Sequence, residues 1–229
     1  MKRLAVALII ITCATPALAQ DEGLGGDAPK TKETAKKAEE SLALPIHPLE
    51  GAKEGDWTAF VWTMKAGQRE EKSLDDWKIA KIADGKIEVQ QRSSTKTETL
   101  DAKEVPALEQ FLGMTSTKVT DVKVENDQKA MGGRTFATKK ITFKSDDGRM
   151  VVNVSLWISK DVKGSGIVAM HIEGDLQKGT KFTADLEVAG FGSKDKTEFG
   201  KSVEDVQKDV NEANKKKKDE AEKAPPKKD

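Results

Sequence analysis

Cysteine, histidine and tyrosine are nearly missing from this sequence: its 229 residues hold one cysteine, two histidines and no tyrosine. The cysteine, Cys13, sits in an apolar N-terminal run. A chain cleaved beyond it forms no disulfide, carries no thiol nucleophile and takes its stability from packing. The histidines, His47 and His171, are too few and too far apart for a zinc centre, which draws on three or four His, Cys or carboxylate ligands. His47 reads as a loop residue between prolines, and His171 as a structural or edge position on a strand face shared with Ile167 and Ala169. No metal and no cofactor is expected. The motifs G-x-S-x-G and H-E-x-x-H are lacking, and residues 159–166, SKDVKGSG, do not have P-loop spacing and read as a connecting turn. Basic and acidic residues stand at 39 each, which leaves no excess of cations to neutralise nucleic-acid phosphates. Beyond Thr12 no apolar run approaches the ~20 residues of a membrane-spanning helix.

What is present divides the chain. Lys2 and Arg3 precede an apolar run over residues 4–12, and Ala17 and Ala19 supply the small residues a signal peptidase requires. Residues 1–19 therefore read as a signal peptide cleaved after Ala19, giving a secreted or periplasmic chain. Lipid anchoring through Cys13 is the less favoured route, because Thr12 is a poor residue to precede an acylated cysteine. The leader removes Lys2 and Arg3, leaving 37 basic against 39 acidic residues and a net charge of −2. Residues 20–43, rich in Gly, Lys, Glu and Ala, read as a disordered or transiently helical linker. Pro45 and Pro48 mark entry into a β-rich domain over residues 44–194. Residues 195–229 read as a charged helical or disordered tail, in which Ser202 and Asp205 can cap a helix presenting Val203, Val206 and Val210.

The domain centres on residues 134–172. Asp147-Gly148 lies between two apolar-rich runs and predicts a two-residue hairpin turn. That turn pairs Phe143 with Val152, Ile141 with Val154, Lys139 with Leu156 and Ala137 with Ile158. Asp84-Gly85 repeats the device, pairing Ile82 with Ile87 and Ala80 with Val89 on one face, and Lys81 with Glu88 and Trp77 with Arg92 on the other. Residues 57–64 predict a central strand buried on both sides, with Phe60, Trp62 and Met64 on one face and Trp57, Ala59 and Val61 on the other. Residues 117–125 predict a strand and 126–133 a loop. Phe182, Ala184, Leu186 and Val188 alternate with polar residues as a strand with one buried face. Asp101 and Glu104 predict a capping box opening a helix that carries Val105, Leu108, Phe111 and Leu112 and stops at Gly113. The expected class is α+β, β-dominant: a curved antiparallel sheet or half-barrel with one short packed helix and flexible charged termini.

The runs GGRTFATKKITF and VNVSLWISKDVKGSGIVAMHI place a strand ending near Trp157, a Gly-containing loop and a strand opening on Ile167-Val168. Over residues 132–174 this pattern resembles uncharacterised secreted bacterial β-rich domains of the periplasmic lipoprotein-carrier-like half-barrel type. The resemblance implies an antiparallel sheet wrapped around a helix. It carries over no ligand motif, and Lys163 stands where the pattern more often has proline.

Trp57, Trp62, Trp77 and Trp157 are the candidate ligand-binding residues: they can line an apolar groove, or else fill the core. The acidic pairs Glu70-Glu71, Asp75-Asp76 and Asp146-Asp147 read as solvated surface rather than opposed catalytic carboxylates. The function expected is an extracytoplasmic, non-catalytic binding or carrier module for an apolar ligand. A structural or protein-interaction domain of the cell envelope is the alternative, and a hydrolase with an unrecognised site comes third. The partners expected are an apolar small molecule or an envelope protein, with no nucleic acid and no transmembrane span in the mature chain. Intact-mass measurement of the exported chain is expected to place the mature N-terminus at Gln20; an acylated chain beginning at Cys13 would contradict the assignment.

Overall fold

A strand in a sheet with one wet face needs apolar residues only at alternate positions, whereas β1, Asp56–Ala66, carries them on both faces, with an unbroken run from Ala59 to Trp62. The computed structural model, which describes residues 43–67, 69–91, 94–112, 117–148, 150–176 and 180–223, covers this strand on both sides. Phe60 and Trp62 enter the main core on one face, while Trp57 and Ala59 pack on the other face against Val206 and Val210 of the C-terminal helix. The central position expected for it is the observed one. β1 pairs with β2, Arg69–Ala83, on one edge and with β9, Thr180–Ser193, on the other.

The remaining elements are β3 (Lys86–Gln91), β4 (Ser94–Asp101), α1 (Leu108–Phe111), β5 (Lys118–Met131), β6 (Arg134–Asp146), β7 (Val151–Ile158), β8 (Ile167–Leu176), β10 (Lys196–Gly200) and α2 (Val203–Lys223). The strands form one open antiparallel sheet in the order β4-β3-β2-β1-β9-β8-β7-β6-β5, with β10 added to β9. One face of this sheet supplies the main core, including Ile79, Ile87, Leu100, Ile141, Leu156, Met170 and Leu186. Phe111 of α1 meets Trp77 edge-on, with ring centroids 5.9 Å apart, and Trp77 meets Phe60 the same way at 6.0 Å. The fold is therefore β-dominant and antiparallel, with its sheet left open.

Both predicted hairpins form, and their registers differ in instructive ways. Asp84 and Gly85 adopt φ of 52° and 72°, the left-handed pair a two-residue turn needs, and Ile82 faces Ile87 as expected. A bulge at Ala80 then moves the register by one, so Ile79 rather than Ala80 faces Val89, and Trp77 faces Gln91 rather than Arg92. The β6–β7 connection is longer than two residues: Asp146 pairs with Val151, and every cross-strand partner moves two places from the expectation. Phe143 thus faces Val154, and Ile141 faces Leu156. Asp146 and Asp147 explain the longer turn, since their carboxylates accept hydrogen bonds from the N–H groups of Gly148 (2.7 Å) and Met150 (2.9 Å). A shift of two preserves the side-chain face, so the same apolar set is buried.

Three other expectations are corrected. Asp101 caps a turn rather than a helix, its Oδ1 accepting from the N–H groups of Lys103 (2.8 Å) and Glu104 (2.9 Å). α1 begins only at Leu108, after Pro106, and Val105 is exposed; Gly113 lies outside the described residues. Residues 126–131 are strand rather than loop, because β5 pairs with β6 continuously to a tight turn at Gly132-Gly133. Its low apolar content reflects an edge strand, whose lysines and whose kink at Asp121 (φ 57°) discourage pairing with other chains. Asp75, expected in solvent, is buried and accepts a hydrogen bond from the Trp77 indole N–H at 3.4 Å.

The charged C-terminal segment starts as part of the fold. Ser202 Oγ accepts from Asp205 N–H at 3.2 Å and donates to Asp205 Oδ2 at 2.9 Å, the capping contact expected. Further along α2, the Asn214 side-chain amide donates to Lys72 O (2.8 Å) and accepts from Lys72 N–H (3.3 Å), occupying the stretch of β2 that extends past β3. The connection from β9 is close-packed, since a Cβ on Gly190 would fall on the Lys201 carbonyl oxygen. Gly190→Ala is therefore expected to raise amide exchange across β10 and the first half of α2 while β6 and β7 stay protected; unchanged exchange there would show that the close approach is dispensable. Leu156→Ala, at a fully buried core position, is expected to cost about 2–5 kcal/mol in denaturant unfolding.

Candidate functional site

β6 outruns its neighbour. The last β6–β7 pair is Lys139 with Ile158, so residues 134–138 have β5 on one side and no strand on the other among the described residues. The chain leaving β7 does not follow the sheet. It turns over residues 159–166, held by hydrogen bonds from Ser159 N–H to Gly166 O (2.8 Å) and from Gly166 N–H to Val162 O (3.0 Å). Gly164 lies so close to the backbone of Trp57, and Gly166 to that of Pro48, that neither position has room for a side chain. The Thr58 hydroxyl donates to the Lys163 carbonyl. Lys163 Nζ reaches Ser193 Oγ (3.2 Å) and Glu198 Oε1 (2.6 Å), which holds the Glu198 carboxyl below its usual range. This loop is the connecting turn expected, fixed against β1, β9 and β10.

Between the overrunning β5–β6 hairpin and that loop lies an open cleft of about 750 Å³. One wall is Asn126, Asp127 and Gln128 of β5 with Ala137, Thr138 and Lys139 of β6; the other is Ile158, Ser159, Lys160 and Asp161, with Ile46 from the entry segment. Its four charged side chains are two lysines and two aspartates. Most polar groups here are engaged. Lys139 Nζ donates to Asn126 Oδ1 (2.5 Å), Lys160 is ion-paired with Glu50, and Arg134 stands 3.7 Å from Asp161. Thr138 is the exception: it is only 6% exposed, and its hydroxyl has no hydrogen-bond partner. A buried hydroxyl left unpaired is costly, and such exceptions are few in folded proteins.

The four tryptophans do not converge. Trp57 lies under α2 on one face of the sheet, and Trp62 and Trp77 lie in the main core on the other. Trp157, half-buried, does not line the cleft but bonds to its wall: its indole N–H donates to Asp127 Oδ2 at 2.8 Å, and Lys129 Nζ sits 4.1 Å from its ring centroid. Sequence reasoning passed over Asp127, Thr138 and Gln128, because residues 126–133 read as a loop and a lone threonine in a strand carries no signal.

The histidines have separate duties. His47 is buried, with Nδ1 accepting from Leu49 N–H (3.1 Å), so its proton sits on Nε2 and is donated to Asp101 O at 2.9 Å. It ties the entry segment to the end of β4. His171 shares its face with Ala169, as expected, but a bulge between Trp157 and Ile158 puts Ile167 on the opposite face, which corrects that part of the expectation. Cross-strand pairing places Ser155, His171 and Asp185 side by side on β7, β8 and β9. His171 Nδ1 contacts Asp185 Oδ1 at 2.6 Å, while its Nε2 faces Glu173 Oε2 at 3.8 Å rather than Ser155. A serine nucleophile needs a base within hydrogen-bond reach, and this ring is turned to carboxylates on both sides. No cluster of three or more metal-ligating side chains occurs among the described residues. Compared with known proteins, the chain matches no family model, no curated protein and no solved structure.

The Asp127 carboxyl is held below the ordinary aspartate range, first by the Trp157 indole N–H, then by the Gln128 N–H, with Lys140 and Lys129 adding to both. A carboxyl whose folded-state pKa is depressed stabilises the fold above its unfolded value of about 3.9, and that contribution is lost as pH falls through the folded value. Acidification below about pH 4 is therefore expected to release Trp157, seen as a change in the emission difference between the wild type and Trp157→Phe. Asp127→Asn should remove the transition; a transition that persists in Asp127→Asn would assign it elsewhere.

Proposed function

We propose that this chain is a non-catalytic binding module of the extracytoplasmic space, reaching the periplasm or exterior after cleavage following Ala19. The observation that carries the reading is the cleft left where β6 outruns β7, with the unpartnered Thr138 hydroxyl buried in its wall. Around it, Lys160 and Asp161 are ion-paired with Glu50 and Arg134, and Asp127 and Lys139 are hydrogen-bonded to the Trp157 indole and the Asn126 amide. Such an arrangement fixes the shape of a recognition surface and leaves no ionised group poised to attack or to abstract a proton. The loop forming the second wall is anchored to the central strand, so the cleft is preformed and binding costs little ordering of the chain.

An apolar ligand is the second reading. It is favoured by the sheet enclosing an aromatic interior in which Trp62 and Trp77 sit. It requires that interior to open, and titration with a fatty acid should then change the emission of those two tryptophans. For the cleft reading, native mass spectrometry of the chain released gently from the envelope of its own host is expected to show a bound small molecule. Asp161→Arg, which places a bulky cation in the cleft wall, should lose it. A bare chain mass under conditions that preserve weak complexes, with no thermal shift on adding back a low-molecular-mass envelope extract, would contradict the reading.

A further inference from the structure

We infer that the end of the molecule where the second half of α2 meets the β1–β2 turn is a docking surface for an anionic lipid bilayer, independently of the cleft. Charges that balance over the whole chain do not balance along it. Asn214 and Lys217 hold α2 against Lys72 and Glu70 of β2. These contacts bring the four lysines of residues 215–218 into the neighbourhood of Lys65, Arg69 and Lys72, from a distant stretch of the sequence. Residues 65–72 and 214–223 together hold eight cationic side chains (65, 69, 72, 215–218 and 223) against five anionic ones (70, 71, 219, 220 and 222), a net charge of +3. The chain after residue 19 carries −2, which leaves −5 on the rest of it. These totals hold whichever acid each lysine pairs with.

Glu70 shows the excess locally. One of its oxygens takes Lys217 Nζ at 2.5 Å, the other has Lys65 Nζ at 4.0 Å, and the charge of Lys72 adds to both. The Lys217 hydrogen bond is the main cause that holds this carboxyl below the ordinary glutamate range. One carboxylate thus serves three lysines, while Arg69 and Lys215 are exposed and have no ion pair among the described residues. Four consecutive helical residues span about 300° of a helix. Lys217 faces the sheet, and Lys215, Lys216 and Lys218 are exposed around the remainder. A bilayer also fits what the patch lacks. Neither stretch contains Phe or Trp, so there is no platform on which nucleic-acid bases stack. Attraction is left to charge: clusters of about four to eight Lys and Arg beside a bilayer bind anionic headgroups, and salt screens them.

The test is co-sedimentation of the mature chain with vesicles of phosphatidylcholine alone and of phosphatidylcholine mixed with phosphatidylglycerol, at low and at high salt. Binding is expected only to the mixed vesicles, and high salt should abolish it. Arg69→Glu and Lys215→Glu change exposed side chains on the two stretches, and each should weaken binding about tenfold. Lys123→Glu, exposed on the edge strand β5, should leave it unchanged. Loss in Lys215→Glu with full binding in Arg69→Glu would leave the lysine-rich helix acting alone and overturn the composite surface. Equal binding to both kinds of vesicle, equal loss in Lys123→Glu, or no binding at low salt would overturn the inference. Capture on immobilised polyphosphate with both kinds of vesicle silent would overturn the lipid assignment. The cleft reading survives each of these results, since its own test reads a bound small molecule.

Discussion

The structure depends on the burial of β1 from both sides. Fully burying a large apolar side chain contributes about 1.5–3 kcal/mol before chain entropy is subtracted. β1 spends Phe60 and Trp62 on the main core and Trp57 and Ala59 on the layer beneath α2. Leu74 of β2 and Ala189 of β9 pack into the edge of that same layer. The C-terminal helix is thus a second layer centred on β1: Val206 and Val210 close the outer face of that strand, and Asn214 occupies the overhang of β2. The same strand anchors the loop of residues 159–166, through the Thr58 hydroxyl and the close approach of Gly164. The cleft is a consequence. Because the loop is drawn inward to β1, it cannot continue β7 alongside β6, and the end of the β5–β6 hairpin is left with one unpartnered edge.

The sequence showed the parts of this arrangement that depend on local pattern. Alternation marked β9, double-sided apolar content marked β1 as central, and Asp84-Gly85 set a turn at its observed place. The cap at Ser202 and the three valines of α2 were also readable, since capping and helical spacing are short-range signals. What was hidden depends on neighbours distant in the chain. The bulge at Ala80 moved one register, and the carboxylate-closed turn at Asp146 and Asp147 moved the other by two residues. The second half of β5, residues 126–131, looked like a loop because an edge strand facing solvent on its long side has little need of apolar residues.

The candidate site was less legible than the fold. Tryptophans attract attention because of their size, yet Trp57, Trp62 and Trp77 are used for packing, and Trp157 meets the cleft only through Asp127. The groups that define the cleft, Thr138 and Gln128 among them, are of types common on any strand surface. Their significance comes from a difference in strand length and a buried hydroxyl without a partner, neither of which has a signature in the linear sequence.

The claim on which the account rests is that β1 is the most deeply supported element, held by both layers. Native-state hydrogen exchange resolved by residue measures this directly. Amides of residues 58–62 and their partners on β9 are expected to exchange only through global unfolding, more slowly than those of β4 and β5 at the sheet edges. Exchange of residues 58–62 at the rate of the edge strands would contradict the account.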